Sequence, residues 1–359
     1  MKPHRITIIV PPGLEALAAE ECRGLGLSEV EEHTGWLVTH GHDRWIHRLN
    51  NLARIPSRIL VELASFRASS FSELVAKVQK ARIDKFLGEN SINLKISVSH
   101  CRLYHTGAIE ERILRALGKE KVTEKDSPAL ELYVRGEDDE FTLSLDSSGD
   151  HLHRRGVALH RGAAPLRENL AAALVQKVSP KGAVWDPTCG SGTILLETIL
   201  GDTGYPLNRF RSFAFEKWPQ HNQQRYQADL EKMEEEVKPL SRRLLASDID
   251  SKELEACRSN LERLGALDKV EVFQGDVSSL DPKDHLCEGS VLSNPPYGQR
   301  IGPGDDLMKH FVRWVGQYPK LGVHMVLPRG KDLSGFQRGL RFRNGGIGVA
   351  TYHSWGKAD

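Results

Sequence analysis

A chain of 359 residues is longer than one ordinary domain and can bury two or three cores. With 49 Lys and Arg against 48 Asp and Glu, the net charge is +1, so any contact with a polyanion must rest on local basic patches rather than on a global field. The five cysteines (Cys22, Cys101, Cys189, Cys257, Cys287) form no C-x-x-C pair, which argues against a disulfide framework and a structural metal and for a reducing compartment. No apolar run approaches a membrane span, so a cytoplasmic protein without a membrane partner is expected.

In chain order, Ile6 to Val10 reads as a strand broken by Pro11-Pro12-Gly13, and Leu14, Leu17, Ala18 and Cys22 follow at helical spacing. Trp36 to Thr39 predicts a strand, and Arg44 to Leu52 a helix. A second unit starts near Ile59, with strand 59–66, helix 72–83 and the alternating strand 92–98. Ser99 to Gly107 then gathers Arg102, Tyr104, His100 and His105 ahead of a helix running from Ala108 to Leu117. The free N–H groups of a helix start suit phosphate, although a loop capped by Ser and Thr reads equally well. After paired strands near 130–134 and 141–146 comes His151-Leu152-His153-Arg154-Arg155. Two histidines on one strand face hint at a metal, but no third ligand accompanies them, and a solvated basic segment facing RNA phosphate is the expectation.

Pro165 opens a helix, and a third unit begins. Its first strand, Ala183 to Trp185, leads into Asp186-Pro187-Thr188-Cys189-Gly190-Ser191-Gly192-Thr193. A dinucleotide fingerprint wants a third glycine where Leu195 stands, and a P-loop wants lysine where Thr193 stands. An acid followed by two glycines suits a cationic, amino-acid-bearing nucleoside such as S-adenosylmethionine. Two further strands end in acids, at Asp248 and Asp276, suited to ribose hydroxyls and an adenine amine. In an open parallel sheet these ends line one crevice. Phe210, Phe213, Phe215 and Trp218 read as local core, and the charge run 229–238 as a solvated helix face.

A fourth strand ends in Ser293-Asn294-Pro295-Pro296-Tyr297. Alone this is a proline turn; as the fourth polar end of one sheet it suits a planar amine, with two N–H acceptors at Asn294 and the Pro295 carbonyl and a ring to stack on it. A closing hairpin is signalled at 340–352 around Asn344-Gly345-Gly346.

With these residues in view the chain resembles, over nearly its full length, bacterial THUMP-domain RNA methyltransferases, and among them the 23S rRNA guanine-N2 branch that forms the amino-terminal half of a fused enzyme in some bacteria. The resemblance is carried by Leu103 to Ala108, Ser144 to Asp150 with His153 to Gly156, Ala164 to Ala172, Asp186 to Thr193, Ser247 to Asp250, and Leu292 to Gly298 with Arg300. It implies an α/β chain with a Rossmann-like class I methyltransferase domain on a mostly parallel seven-stranded sheet at 156–359, preceded by α+β ferredoxin-like (1–62) and THUMP RNA-binding (63–155) domains. It further implies that Pro165, Asp186, Thr188, Gly190, Ser191, Gly192, Asp248, Ile249, Asp276 and Val277 hold S-adenosylmethionine, and that Asn294, Pro295, Pro296 and Tyr297 act on the base. Arg102, His105, Arg154, Arg155 and Arg300 would meet RNA, with rRNA ahead of tRNA, and a monomer without metal is expected. A tRNA methyltransferase of the same architecture, a methyltransferase for a glutamine side-chain amide and a non-catalytic ribosome-assembly module are the competing readings.

Overall fold

The computed structural model describes residues 3–120, 129–158, 166–296 and 305–355. The first half builds β1 (His4–Ile9), α1 (Glu15–Gly24), β2 (Glu31–His33), β3 (Trp36–Gly41), α2 (Asp43–Leu52), β4 (Arg58–Arg67), α3 (Phe71–Ala81), α4 (Asp84–Leu87), β5 (Ile92–Ser99), α5 (Thr106–Leu117), β6 (Leu130–Glu137) and β7 (Glu140–Asp146). All seven strands join one sheet, in the order β2-β3-β1-β4-β7-β6-β5. The long β4 makes this continuity: Arg58 to Val61 pair with β1, while Leu60 to Arg67 pair with β7. Residue 62 therefore lies inside a strand.

The second half contributes α6 (Glu168–Val178), β8 (Val184–Asp186), α7 (Thr193–Thr203), α8 (Gln223–Glu235), β9 (Leu244–Asp248), α9 (Ser251–Leu264), β10 (Val270–Gln274), β11 (Gly289–Ser293), α10 (Asp305–Gln317), β12 (Leu321–Pro328), β13 (Gln337–Asn344) and β14 (Ile347–Ser354). The sheet order is β10-β9-β8-β11-β12-β14-β13. The first five strands are parallel, and β14 and β13 close the sheet as the antiparallel hairpin expected from Asn344-Gly345-Gly346. Strands buried on both faces read as unbroken apolar runs, and β12 is buried from Leu321 to Leu327. The order reverses between β8 and β11, the place where an open α/β sheet leaves a crevice.

One apolar cluster runs from the amino-terminal elements (Leu14, Leu49, Ile59) into one face of the second sheet through Leu170, Ile199, Phe213 and Phe215. The two pieces thus share a core. The other face is packed by Trp185, Val291, Phe311, Trp314 and Tyr352. Phe213 and Phe215 are core, with Phe210 and Trp218 packed against it, as their types suggest. The charged run on α8 has one docked edge: Asp229 bonds His47 at 2.7 Å, and Arg48 takes Glu236 in a two-pronged pair.

Arg155 departs from expectation. It is 2% exposed and holds Glu197 of α7 at 3.0 and 3.3 Å, while donating to the Leu152 and Arg54 carbonyls. A cation so enclosed offers RNA nothing; it ties the segment between the two halves to the helix behind the glycine turn. The Ser144 to Asp150 segment is similarly structural. Asp146 holds Arg58, and Asn50, Ser147 and Ser148 form a buried hydroxyl–amide network that fixes β4.

Candidate active site

Four parallel strand ends converge. β8 ends on Asp186, and the chain turns through Gly190 (φ +51) and Gly192 (φ +88), backbone states that favour glycine, before α7 starts at Thr193. A side chain at position 192 would place its Cβ 2.7 Å from Cys257 Sγ, so α9 packs directly beneath the turn. Asn260 of α9 donates to the Ser191 carbonyl at 3.0 Å, and the Cys189 N–H donates to the Ser247 carbonyl at 2.9 Å. These bonds hold the turn open as a cradle of backbone.

Asp186 is 2% exposed, and its carboxyl lies well above the usual range because burial strips its hydration. A bond from the Thr188 N–H opposes that shift and the neighbouring Asp248 adds to it. A carboxylate so placed gains from a cation arriving in the crevice. Asp248, at the end of β9, accepts from the Gly190 N–H at 2.8 Å through one oxygen and from the Asp250 N–H at 3.0 Å through the other, leaving each oxygen a lone pair for a hydroxyl. Beside it Ile249 is 63% exposed, an apolar face suited to a ring, and Gln274 fixes its carbonyl. Asp276 stands two residues beyond β10, its carboxyl held low by the Ser278 hydroxyl and N–H that it accepts. Val277 is buried.

Asn294 follows β11 directly. Its side-chain oxygen is buried and has no hydrogen-bond partner among the described residues, a costly state for a polar atom unless a ligand supplies the donor. Pro295 is buried and Pro296 exposed. Thr188 and Ser293 share a hydroxyl bond of 2.6 Å, which stitches the glycine turn to the strand end that presents Asn294. Tyr297, Pro165 and Arg300 lie outside the described residues.

One residue escaped the sequence reading. Asp250 caps α9 and Glu253 stands three residues on, the spacing of a capping box. Asp248 has taken the Asp250 N–H, so Glu253 Oε2 is left buried and, among the described residues, unpaired, 3.7 Å from where a Gly190 Cβ would sit. Burial, then Asp248 and Asp250, raise its carboxyl. The capping-box spacing was the visible signal.

The basic residues are elsewhere. Arg102 is exposed in the loop between edge strand β5 and α5, and its N–H donates to Asp139 at 2.7 Å. His105 caps α5 and packs on the exposed Tyr104 at 4.2 Å. Arg154 is exposed, 3.5 Å from Asp150. Among the described residues no group of three or more His, Cys, Asp or Glu is placed to hold a metal, and no helix is long and apolar enough to cross a membrane.

The orphaned Asn294 oxygen, the buried Asp186, the glycine cradle and the spare acceptors of Asp248 fit a cationic nucleoside. Comparison with known proteins agrees. Residues 155–325 match the RMKL-like methyltransferase domain family and residues 5–60 the RlmL ferredoxin-like domain family. The ribosomal RNA large subunit methyltransferase K/L of Pseudomonas putida (strain W619) is 33% identical over 324 residues, covering 83% of this chain and 44% of that protein. The chain thus spans less than half the length of that relative. A chain described as a possible methylase from Clostridium difficile superposes with a TM-score of 0.87 at 22% identity, over 100% of this chain and 99% of that one. SMU.472, solved with S-adenosylhomocysteine bound, gives 0.85 at 22%, over 100% of both chains. The fold is that of a class I methyltransferase, whose cofactor is S-adenosylmethionine. The chain thus has a class I methyltransferase fold that is similar over residues 155–325 to the RMKL-like methyltransferase domain family and over residues 5–60 to the RlmL ferredoxin-like domain family.

Proposed function

We propose that this chain methylates the exocyclic N2 amine of a guanosine in structured RNA, the large-subunit ribosomal RNA, as a cytoplasmic monomer. The observation that carries the reading is the buried Asn294 oxygen, without a partner among the described residues, at a strand end beside the glycine cradle. The sulfonium of S-adenosylmethionine supplies the activated methyl when bound. Asp186 would face the cofactor's cationic portion and Asp248 its ribose, with Ile249, Asp276 and Val277 around the adenine and Gly190, Ser191 and Gly192 giving backbone room.

An exocyclic amine is a weak nucleophile because its lone pair is delocalised into the ring. Asn294 Oδ1 accepts one N–H and the Pro295 carbonyl the other, which turns the lone pair out of the ring plane. Positioning and electrostatics then supply the rate. Pro296 stiffens the presenting backbone, and Tyr297 stacks on a base drawn out of its helix. The proton leaves to water. Residues 63–155 serve as the RNA-gripping THUMP module, with Arg102, His105 and Arg154 toward phosphate; Arg300 is a further RNA-binding residue. The choice of rRNA is supported by the name of the 33% identical relative.

The test is methyl acceptance by rRNA from a strain lacking the gene, with labelled S-adenosylmethionine and mass spectrometry of the nucleosides. N2-methylguanosine in large-subunit rRNA is the expected product. Label in tRNA alone, in protein after ribonuclease treatment, or on another amine would overturn the assignment.

A further inference from the structure

The edge strand β13 carries a basic face that the proposed chemistry does not use. Arg338 lies opposite Tyr352, Arg341 opposite Ala350 and Arg343 opposite Gly348, with one extra residue in β13 between Arg338 and Arg341. Tyr352, Ala350 and Gly348 alternate along β14 and so share one face of the sheet. Without the extra residue, Arg338 would point to the opposite side from Arg341 and Arg343; the bulge brings all three into phase. Arg329 adds a fourth cation. Its side chain lies 3.4 Å from where a Gly348 Cβ would stand, crossing the same face because position 348 has no side chain.

The charges are uncompensated. Some exposed arginines elsewhere meet carboxylates, as Arg23 does Glu32 and Arg243 does Glu271. None of Arg329, Arg338, Arg341 and Arg343 has a carboxylate partner among the described residues, and residues 333–355 include no Asp or Glu at all. In a chain of net charge +1 this is a local concentration of guanidinium.

Register places it at the reaction end of the sheet. Ser293 lies level with Met325, and through it with Tyr352 and Arg338. Arg341 and Arg343 therefore stand beyond the carboxyl end of β11, beside the loop that presents Asn294. Three strand spacings separate them, about 14 Å at ordinary interstrand distance. Gly13 sits against the Arg341 carbonyl, where a Cβ would come within 2.2 Å, so at that point the edge offers side chains and not backbone pairing.

We propose that Arg329, Arg338, Arg341 and Arg343 form a phosphate-binding surface that holds the RNA strand flanking the target base, on the catalytic domain itself. This rests on the RNA-methylating reading above. Planar guanidinium groups suit phosphate, and each contact releases counterions, so the surface has a salt signature.

The test compares wild type, R341E/R343E and R341K/R343K for binding to an unmodified transcript of large-subunit rRNA across a salt series. Thermal melting and calorimetric S-adenosylmethionine binding verify that each variant is folded. The charge reversal is expected to weaken RNA binding by about tenfold or more at low salt and to flatten the log K against log salt slope by about 1 to 2, with the lysine pair close to wild type. An unchanged slope in a charge-reversed protein that still folds and binds cofactor overturns the proposal while leaving the RNA reading intact. Equal competition by polyglutamate assigns the surface to an acidic protein and also overturns it. Wild type that binds no RNA removes the functional reading, and this one with it.

Discussion

The Thr188 hydroxyl meets the Ser293 hydroxyl at 2.6 Å, the one side-chain bond between the glycine turn and the strand that presents Asn294 among the described residues. Ser293 is fully buried, and a neutral buried hydrogen bond contributes about 1 kcal/mol. Ser293→Ala is expected to lower stability by about 1–2 kcal/mol, with kcat falling further than cofactor affinity, because the acceptor loop loses its tether to the cradle. Single-turnover methylation beside calorimetry separates the two effects, and equal losses in both would contradict the tether.

Asn294→Ala removes the orphaned acceptor. Loss of one preorganised group of this kind lowers kcat by about 10²- to 10³-fold. Cofactor affinity should stay within about threefold, since the cradle is made by other residues. Near-normal turnover would exclude Asn294 from the reaction.

Asp186 gives a pH dependence with a definite sign. Its folded-state pKa lies above the ordinary 3.8, so the unfolded chain releases the proton first as pH rises. The contribution of Asp186 to stability is therefore most favourable below about pH 3.8 and falls as the pH climbs from there towards the folded pKa. Asp186→Asn abolishes the fall: the ligand-free variant should melt higher than wild type at neutral pH and converge with it near pH 4, while losing cofactor affinity by tenfold or more. Parallel melting profiles across pH would refute the buried carboxylate, which meets no cation among the described residues.

The Arg155 and Glu197 pair is enclosed, with 2% and 1% of the side chains exposed. Removing one member leaves an uncompensated charge at a cost of about 3–5 kcal/mol. Arg155→Met should thus be strongly destabilised, and the double replacement with Glu197→Leu should recover much of the loss. RNA binding by the folded double variant should keep the wild-type salt slope. A reduced slope would return Arg155 to the RNA surface.

Much of the site was legible because it follows local rules. Asp186 and Asp248 each end an apolar run that becomes a buried strand, and Asn344-Gly345-Gly346 could only turn a hairpin. Arg155 was not legible. Its neighbours His153 and Arg154 suggest a wet segment, whereas its partner stands 42 residues away inside an apolar helix, a pairing no local pattern encodes. Glu253 was hidden by competition, since Asp248 takes the N–H its spacing would claim. The continuity of the first sheet was likewise invisible, because β4 pairs with β1 along its first part and with β7 along the rest, and nothing in its run of residues marks the change.

The edge strand β13 also bears on association between copies. An unprotected terminal strand is a template for intermolecular pairing and aggregation, and proteins blunt such edges with bulges and charge. Here the bulge after Arg338, the repulsion among aligned arginines and the obstruction by Gly13 act together. A second copy approaching edge to edge would meet like charge and an interrupted ladder, so the arrangement that suits a polyanion also keeps the sheet from polymerising.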